Sequence, residues 1–359
     1  MKPVYSVFVS NAADGDIGAY RFDTENGTLE PEARYVAGDG VAPLALSRDS
    51  GTLYAATRGD RPSIVTYALD THSGALKQRG VAHIDSKLVH LCVDASGHYL
   101  LGASYHENRA TLYDAASVAE GDARALQTAD GIEHAHAAVF TGDGRFAYVS
   151  SLGGDAVFCF AMHNGRMERT GVAKVDANFG PRHLQFSPNE DTLYVVSEFR
   201  ATVAAFARNA ESGALIGPRM SAPAHALAHL KHGCVRSGFA PGRPADIDDL
   251  ASRVWGADIQ ITPDGRFVYV SERTSSQLIA YRVRSDRALA YVGATPTESE
   301  PRGFAIDPSG CFLVVCGGKS AHVSAYAVAT ETGSLHLISR TECGKGANWV
   351  QMVERPRGR

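Results

Sequence analysis

The stretch Gly180-Pro181-Arg182-His183-Leu184-Gln185-Phe186-Ser187-Pro188-Asn189-Glu190-Asp191-Thr192-Leu193-Tyr194-Val195-Val196-Ser197-Glu198 reads as a short strand, a tight turn and a second strand. Apolar runs on either side of a Ser-Pro-Asn-Glu turn are the pattern of an antiparallel pair. A tight turn brings the far ends of its two strands together, so Arg182 and Glu198 are expected at the same sheet edge. The motif recurs. Its turn-opening residue falls at Ser47, Asp94, Thr141, Ser187, Thr262 and Asp307, in steps of 47, 47, 46, 75 and 45 residues. The long step is one period plus about 29 residues, an insertion placed at about 218–253.

A third alternating strand follows each pair, as at Ile64 to Leu69, Ala156 to Ala161 and Leu278 to Val283, and a weaker fourth follows turns such as Gly213-Ala214-Leu215. Four short antiparallel strands per 40 to 50 residues is the signature of a propeller blade. Six markers give six blades. Trp349 to Val353 resembles a first strand with no second, whereas Tyr5 to Ser10 is a second strand with no first, continued by Ile17 to Phe22 and Leu29 to Val36. Joining the termini in one blade removes the free sheet edges at the seam. The expectation is an all-β, seven-bladed β-propeller, one domain over 1–359, closed by pairing of the N- and C-terminal strands.

A net charge of −4 with 21% charged residues gives no reason to expect a nucleic-acid or membrane partner, so an anionic ligand would need a local cationic site. The opening Met1-Lys2-Pro3 leads straight into an alternating strand, without the apolar run of a signal peptide, which points to the cytoplasm. No run approaches the roughly 18 apolar residues of a membrane span. The six cysteines (Cys92, Cys159, Cys234, Cys311, Cys316, Cys343) form no Cys-x-x-Cys and are expected as reduced thiols, mostly buried.

If the blades are equivalent, positions at one offset from the marker form a ring around the channel. With Met352, 45 residues beyond Asp307, as the seventh marker, Ala42, Val89, His136, Arg182, Ala257, Arg302 and Ala347 stand five residues before their markers; eleven after the first six stand Arg58, Tyr105, Leu152, Glu198, Arg273 and Gly318. Both rings face one mouth. Packing alone calls for small or apolar residues there, which leaves four arginines, His136 and Glu198 to be explained. Guanidinium matches carboxylate and phosphate bidentately, so the cluster points to an anionic ligand.

Gly180-Pro181-Arg182-His183 with Ser187-Pro188-Asn189, Ala257-Asp258-Ile259 through Thr262-Pro263-Asp264-Gly265-Arg266, Pro296-Thr297-Glu298 leading to Pro301-Arg302-Gly303-Phe304, and Gly318-Lys319-Ser320 with His322 resemble the bacterial propeller-type 6-phosphogluconolactonase family. The wider family includes the carboxy-cis,cis-muconate cyclase. The resemblance runs from about Val4 to Val353 and implies a seven-bladed propeller, no metal or other cofactor, and a site at the channel mouth. It also implies that His136, Arg182, Glu198 and Arg273 are catalytic. Arg58, His183, Arg302 and Lys319 join them as expected substrate-binding residues, and the expected partner is a small anionic lactone. The monomer or a weak homo-oligomer is the expected state. Two other readings stay open, a cyclase that forms lactones and a non-catalytic binding scaffold.

Other motifs are weaker. His134-Ala135-His136 lacks a third ligand at a recognisable spacing. His225, His229 and His232 stand at helical spacing and read as a solvated surface helix. Gly317-Gly318-Lys319-Ser320 resembles the end of a P-loop, but Leu313 occupies the position of the required glycine. A Gly-x-Ser-x-Gly elbow is missing, which disfavours a serine nucleophile. The insertion joins the fourth strand of one blade to the first of the next and is expected to overhang the mouth, either as a lid or specificity loop or as an oligomer contact or decoration.

Overall fold

A computed structural model of the chain describes residues 2–235 and 247–356. Seven four-stranded antiparallel sheets stand around a central channel. Their innermost strands are Leu44–Leu46, Leu88–Val93, Ala135–Phe140, Pro181–Phe186, Gly256–Ile261, Pro301–Ile306 and Ala347–Glu354, which define blades 1 to 7. Blade 7 is assembled from both ends of the chain: Ala347–Glu354 pairs with Val4–Asn11, followed by Asp16–Asp23 and Thr28–Val36. Its register sets Ser6 opposite Val353 and Val9 opposite Val350, so the ring closes through strand pairing, as the sequence pattern requires.

The repeat has a local cause. In each of blades 1 to 6 the turn-opening side chain accepts the backbone N–H five residues on: Ser47 from Thr52, Asp94 from Tyr99, Thr141 from Phe146, Ser187 from Thr192, Thr262 from Phe267 and Asp307 from Phe312. A short oxygen-bearing side chain that satisfies a turn amide is why Ser, Thr or Asp occupies this position every time.

Apolar burial lies between the blades rather than on the axis. Each neighbouring pair shares one cluster, such as Tyr148, Val157, Leu193 and Phe206 between blades 3 and 4, or Val7, Tyr20, Val314 and Val323 between blades 6 and 7. The recurrent second-strand tyrosines belong to these clusters and tie blades together at their outer turns. Tyr148 donates to Gly213 O at 2.7 Å, and Tyr269 to Gly333 O at 2.8 Å. Gly213 has φ +70° and lies so close to the Phe146 ring that a Cβ would sit 2.3 Å from it, which excludes any other residue.

Residues 221–255 connect blade 4 to blade 5; of these, 236–246 lie outside the described residues. The surface helix expected to carry His225, His229 and His232 is not formed. A single 3₁₀ turn spans His225–Leu227, and Lys231 then bridges to Arg253. Ala224 and Leu227 are drawn into the core between blades 4 and 5, so docking onto the propeller overrides the helical spacing. Of the six cysteines Cys159 and Cys316 are buried as expected, Cys92, Cys311 and Cys343 are only partly buried, and Cys234, in this connection, is exposed.

Candidate active site

The inner strands of blades 2 to 6 begin with a bulge. Register slips between Leu88 and His90, Ala135 and Ala138, Pro181 and Leu184, Gly256 and Ile259, and Pro301 and Phe304. A bulge breaks the alternation of faces, so two successive residues of one strand can turn towards the channel. Serines of the second strands satisfy the amides this exposes. Ser150 Oγ accepts Ala137 N–H and Ser271 Oγ accepts Asp258 N–H, both at 2.9 Å. The hydroxyls then donate across blades, Ser150 to Arg182 O at 2.6 Å and Ser271 to Arg302 O at 3.1 Å. The bulges of blades 3 and 5 are thereby fixed relative to their neighbours.

The mouth encloses a cavity of about 280 Å³, lined by Arg58, Tyr105, His106, His136, Arg182, His183, Glu198, Arg273, Arg302, Asn348 and Trp349 together with Ala42 and Val89. Both rings expected from the repeat therefore converge. Glu198 is buried between two guanidiniums: Arg273 Nη2 donates to Oε1 at 2.7 Å, and Arg182 Nε faces Oε2 at 3.2 Å. His136 Nε2 lies 3.8 Å from the same Oε2. The arginines are held from behind, Arg182 Nη1 by Ala257 O and Arg273 Nε by Trp255 O at 3.1 Å, with the Trp255 ring 5.9 Å from the Arg273 guanidinium carbon. Gly256 makes this approach possible, since a Cβ there would sit 2.3 Å from Ser197 O.

Burial decides the charge states. It pushes His136 well below the ordinary histidine range, and Arg182, His183 and Arg273 push the same way, so the imidazole is neutral at neutral pH. Burial also lowers Arg182, to about 9, against the opposing pull of Glu198, which leaves the guanidinium charged at neutral pH. On the far side, flanking blade 7, stand Arg58 and Arg302. Burial lowers both: Arg302 further lowers Arg58, and Arg273 further lowers Arg302. Arg302 is held by Glu300 Oε1 at 2.7 Å; among the described residues Arg58 makes one hydrogen bond, from Nε to Gly40 O at 3.4 Å, and no ion pair. Confined cations that repel one another form a site for an anion.

His183 lies deeper, where the mouth meets the channel, with Nδ1 2.7 Å from Asp258 Oδ1. Lys319 does not line the cavity. It sits in a neighbouring depression with Trp255, Arg273 and Glu300, its side chain 76% exposed and paired with Glu300 at 3.2 Å. The reason is the second-strand end of blade 6, where Gly318 brings no side chain to the ring and the next residue turns outwards. The sequence reading left Asp258, Asn348 and Trp349 unassigned. Counting four rather than five residues before each marker would have reached His90, His183, Asp258 and Asn348, had the bulges been foreseen. The connection from blade 4 meets the rim through Trp255, Leu250 and Val235, which pack with Phe199, Leu152 and Tyr105.

Fold and site together define a propeller with a polar mouth, a buried carboxylate beside a neutral imidazole at one pole and, among the described residues, an arginine without a carboxylate partner at the other. Residues 6–352 match the family model described as lactonase, seven-bladed β-propeller, and the chain belongs to that family. Relatives named 6-phosphogluconolactonase include those of Cronobacter sakazakii, 31% identical over 96% of this chain and 97% of theirs, and Serratia proteamaculans, 32% identical over 97% and 98%. Among solved structures, the periplasmic gluconolactonase of Pseudomonas aeruginosa is 22% identical with a TM-score of 0.81, covering 98% of this chain and 100% of that one, a likeness of fold. The protein is accordingly a lactonase, an enzyme that opens a cyclic ester with water.

Proposed function

We propose that the protein hydrolyses 6-phosphogluconolactone to 6-phosphogluconate, with the phosphate at the Arg58–Arg302 pole and the lactone carbonyl at the Arg182–Glu198–Arg273 pole. The observation that carries this reading is Arg58, a half-buried guanidinium with no carboxylate partner among the described residues, placed across the cavity from a neutral buried histidine. The names of the curated relatives support the same substrate.

The chemistry follows from the charge states. A water within reach of both His136 Nε2 and Glu198 Oε2 gives its proton to the neutral imidazole, while its oxygen attacks the lactone carbonyl carbon. Arg182 and Arg273 are pinned before substrate arrives, so they meet the developing oxyanion without reorganising. The ring C–O bond then breaks and the leaving alkoxide takes the proton back from His136. One water is consumed and the imidazole is restored. Glu198 stabilises the transient imidazolium and keeps both guanidiniums in place.

Every group in this scheme comes from one chain, so a monomer suffices. No described helix is long and apolar enough to cross a membrane, and a phosphorylated substrate crosses a bilayer poorly, so we take the cytoplasm as the site of action. Initial rates of lactone opening at controlled pH, corrected for spontaneous hydrolysis, test the proposal with phosphorylated and unphosphorylated gluconolactone. At least a tenfold higher kcat/KM for the phosphorylated lactone is expected. Equal values for the two would refute the phosphate assignment, and no acceleration over the spontaneous rate would refute the function.

A further inference from the structure

At the foot of the mouth, three imidazoles and an indole pack together. The His183 ring stands 5.5 Å from His136, 5.3 Å from His90 and 5.3 Å from Trp349, centroid to centroid. Within this layer the hydrogen bonding is directional. Asp258 accepts from three donors, His183 Nδ1 at 2.7 Å, Ile259 N–H at 2.9 Å and Phe304 N–H at 3.2 Å, which is the surrounding of a carboxylate. A carboxylate at that distance can only accept, so the proton of neutral His183 sits on Nδ1 and its Nε2 is a bare acceptor.

Two nitrogens in the neighbouring rings are buried without a partner among the described residues: Nε2 of His183 and Nδ1 of His136. The first is an acceptor by the argument above. The second needs one if it carries the proton. We propose that Asp258 and His183 are positioning residues for His136: a small rotation of either ring lets His183 Nε2 accept the Nδ1–H of His136, which leaves His136 Nε2 as the basic nitrogen facing Glu198 and the substrate. The inference rests on His136 as the base of the proposed reaction. It gives a role to a buried Asp–His pair that substrate binding alone leaves unexplained. The groups that bear on the His136 charge are Glu198, Arg182, Arg273 and His183, with Tyr105 edge-on at 5.9 Å. His90 is the competing donor to His183, because its own Nδ1 accepts Ala138 N–H at 3.4 Å and its proton therefore sits on Nε2.

In the relay no proton passes beyond His136. When its Nε2 takes a proton from water, the positive charge is shared with Nδ1–H, and the hydrogen bond to His183, backed by Asp258, strengthens; it relaxes when the alkoxide takes the proton away.

The test combines a spectrum and a variant. Long-range ¹H–¹⁵N NMR of the wild-type protein at neutral pH, with assignments from His136→Asn and His183→Asn, is expected to show both residues protonated on Nδ1. His136 protonated on Nε2 would overturn the proposal without any variant enzyme having to be active. Asp258→Asn retains the shape but lets either tautomer of His183 form; kcat is expected to fall about 10²-fold with KM within twofold, and the acid limb of the kcat/KM profile to move to lower pH. Wild-type kcat and an unmoved profile in Asp258→Asn would remove the relay and leave the lactonase reading intact. A wild type that does not accelerate opening of 6-phosphogluconolactone removes the proposed function, and the tautomer spectrum then decides the relay by itself.

Discussion

Replacing Glu198 by Gln keeps the shape of the side chain and removes one buried negative charge shared by Arg273 at 2.7 Å, Arg182 at 3.2 Å and His136 at 3.8 Å. At an effective dielectric of about 20, a unit charge 3.8 Å away stabilises the imidazolium by about 4 kcal/mol, a ceiling of roughly 10³-fold in rate. Two guanidiniums draw on the same carboxylate, so we expect kcat to fall about 10²-fold. Removing one partner of a buried ion pair costs about 3–5 kcal/mol. With an unfolding entropy of about 2.1 cal/mol/K per residue over 359 residues, that lowers Tm by about 4–7 °C if the ring unfolds cooperatively. Initial rates with 6-phosphogluconolactone, corrected for the spontaneous reaction, and a calorimetric melt of the same preparation measure both. A variant with wild-type kcat and a Tm within 1 °C would show that Glu198 is neither a partner of the base nor the keystone of the arginines.

Further outcomes follow from the same geometry. Arg58→Ala should raise KM for the phosphorylated lactone about 10- to 100-fold, the value of one or two charge-assisted hydrogen bonds, and leave KM for the unphosphorylated lactone within twofold. Lys319→Ala, exposed and outside the cavity, should change neither constant by more than about twofold; steady-state kinetics decides both. His90, His136 and His183 all have depressed folded-state values, so below about 6.5 the unfolded chain takes up protons that the folded one refuses. Their contribution to stability is therefore complete above that pH and is lost as the pH falls below it, and urea unfolding at pH 7.5, 6 and 5 should show the midpoint dropping. Tyr148→Phe, which removes a buried hydroxyl bonded to Gly213 O far from the mouth, should cost about 1–2 kcal/mol in urea unfolding and leave kcat unchanged.

The amino-acid sequence by itself determined the ring of seven blades, because each blade is a local object: a turn-capping Ser, Thr or Asp, alternating strands and a period near 46 leave few alternatives. It also placed Arg58, His136, Arg182, Glu198, Arg273 and Arg302 at the mouth, since equal offsets in equivalent blades point to one level of the channel. Closure by the termini was legible for the same reason, an unpaired first strand at one end matching an unpaired second strand at the other. The tertiary structure alone decided what depends on distances between blades. Glu198, not the substrate, neutralises Arg182 and Arg273; among the described residues Arg58 is left without a carboxylate; Lys319 leans outwards to Glu300. The bulges decided the rest, because a register slip at the start of an inner strand turns a second residue inwards and brings His183 to Asp258, 75 positions apart in the chain. Strand periodicity carries no trace of such a slip, since it is set by how the backbone meets its neighbouring strand and not by the order of polar and apolar residues.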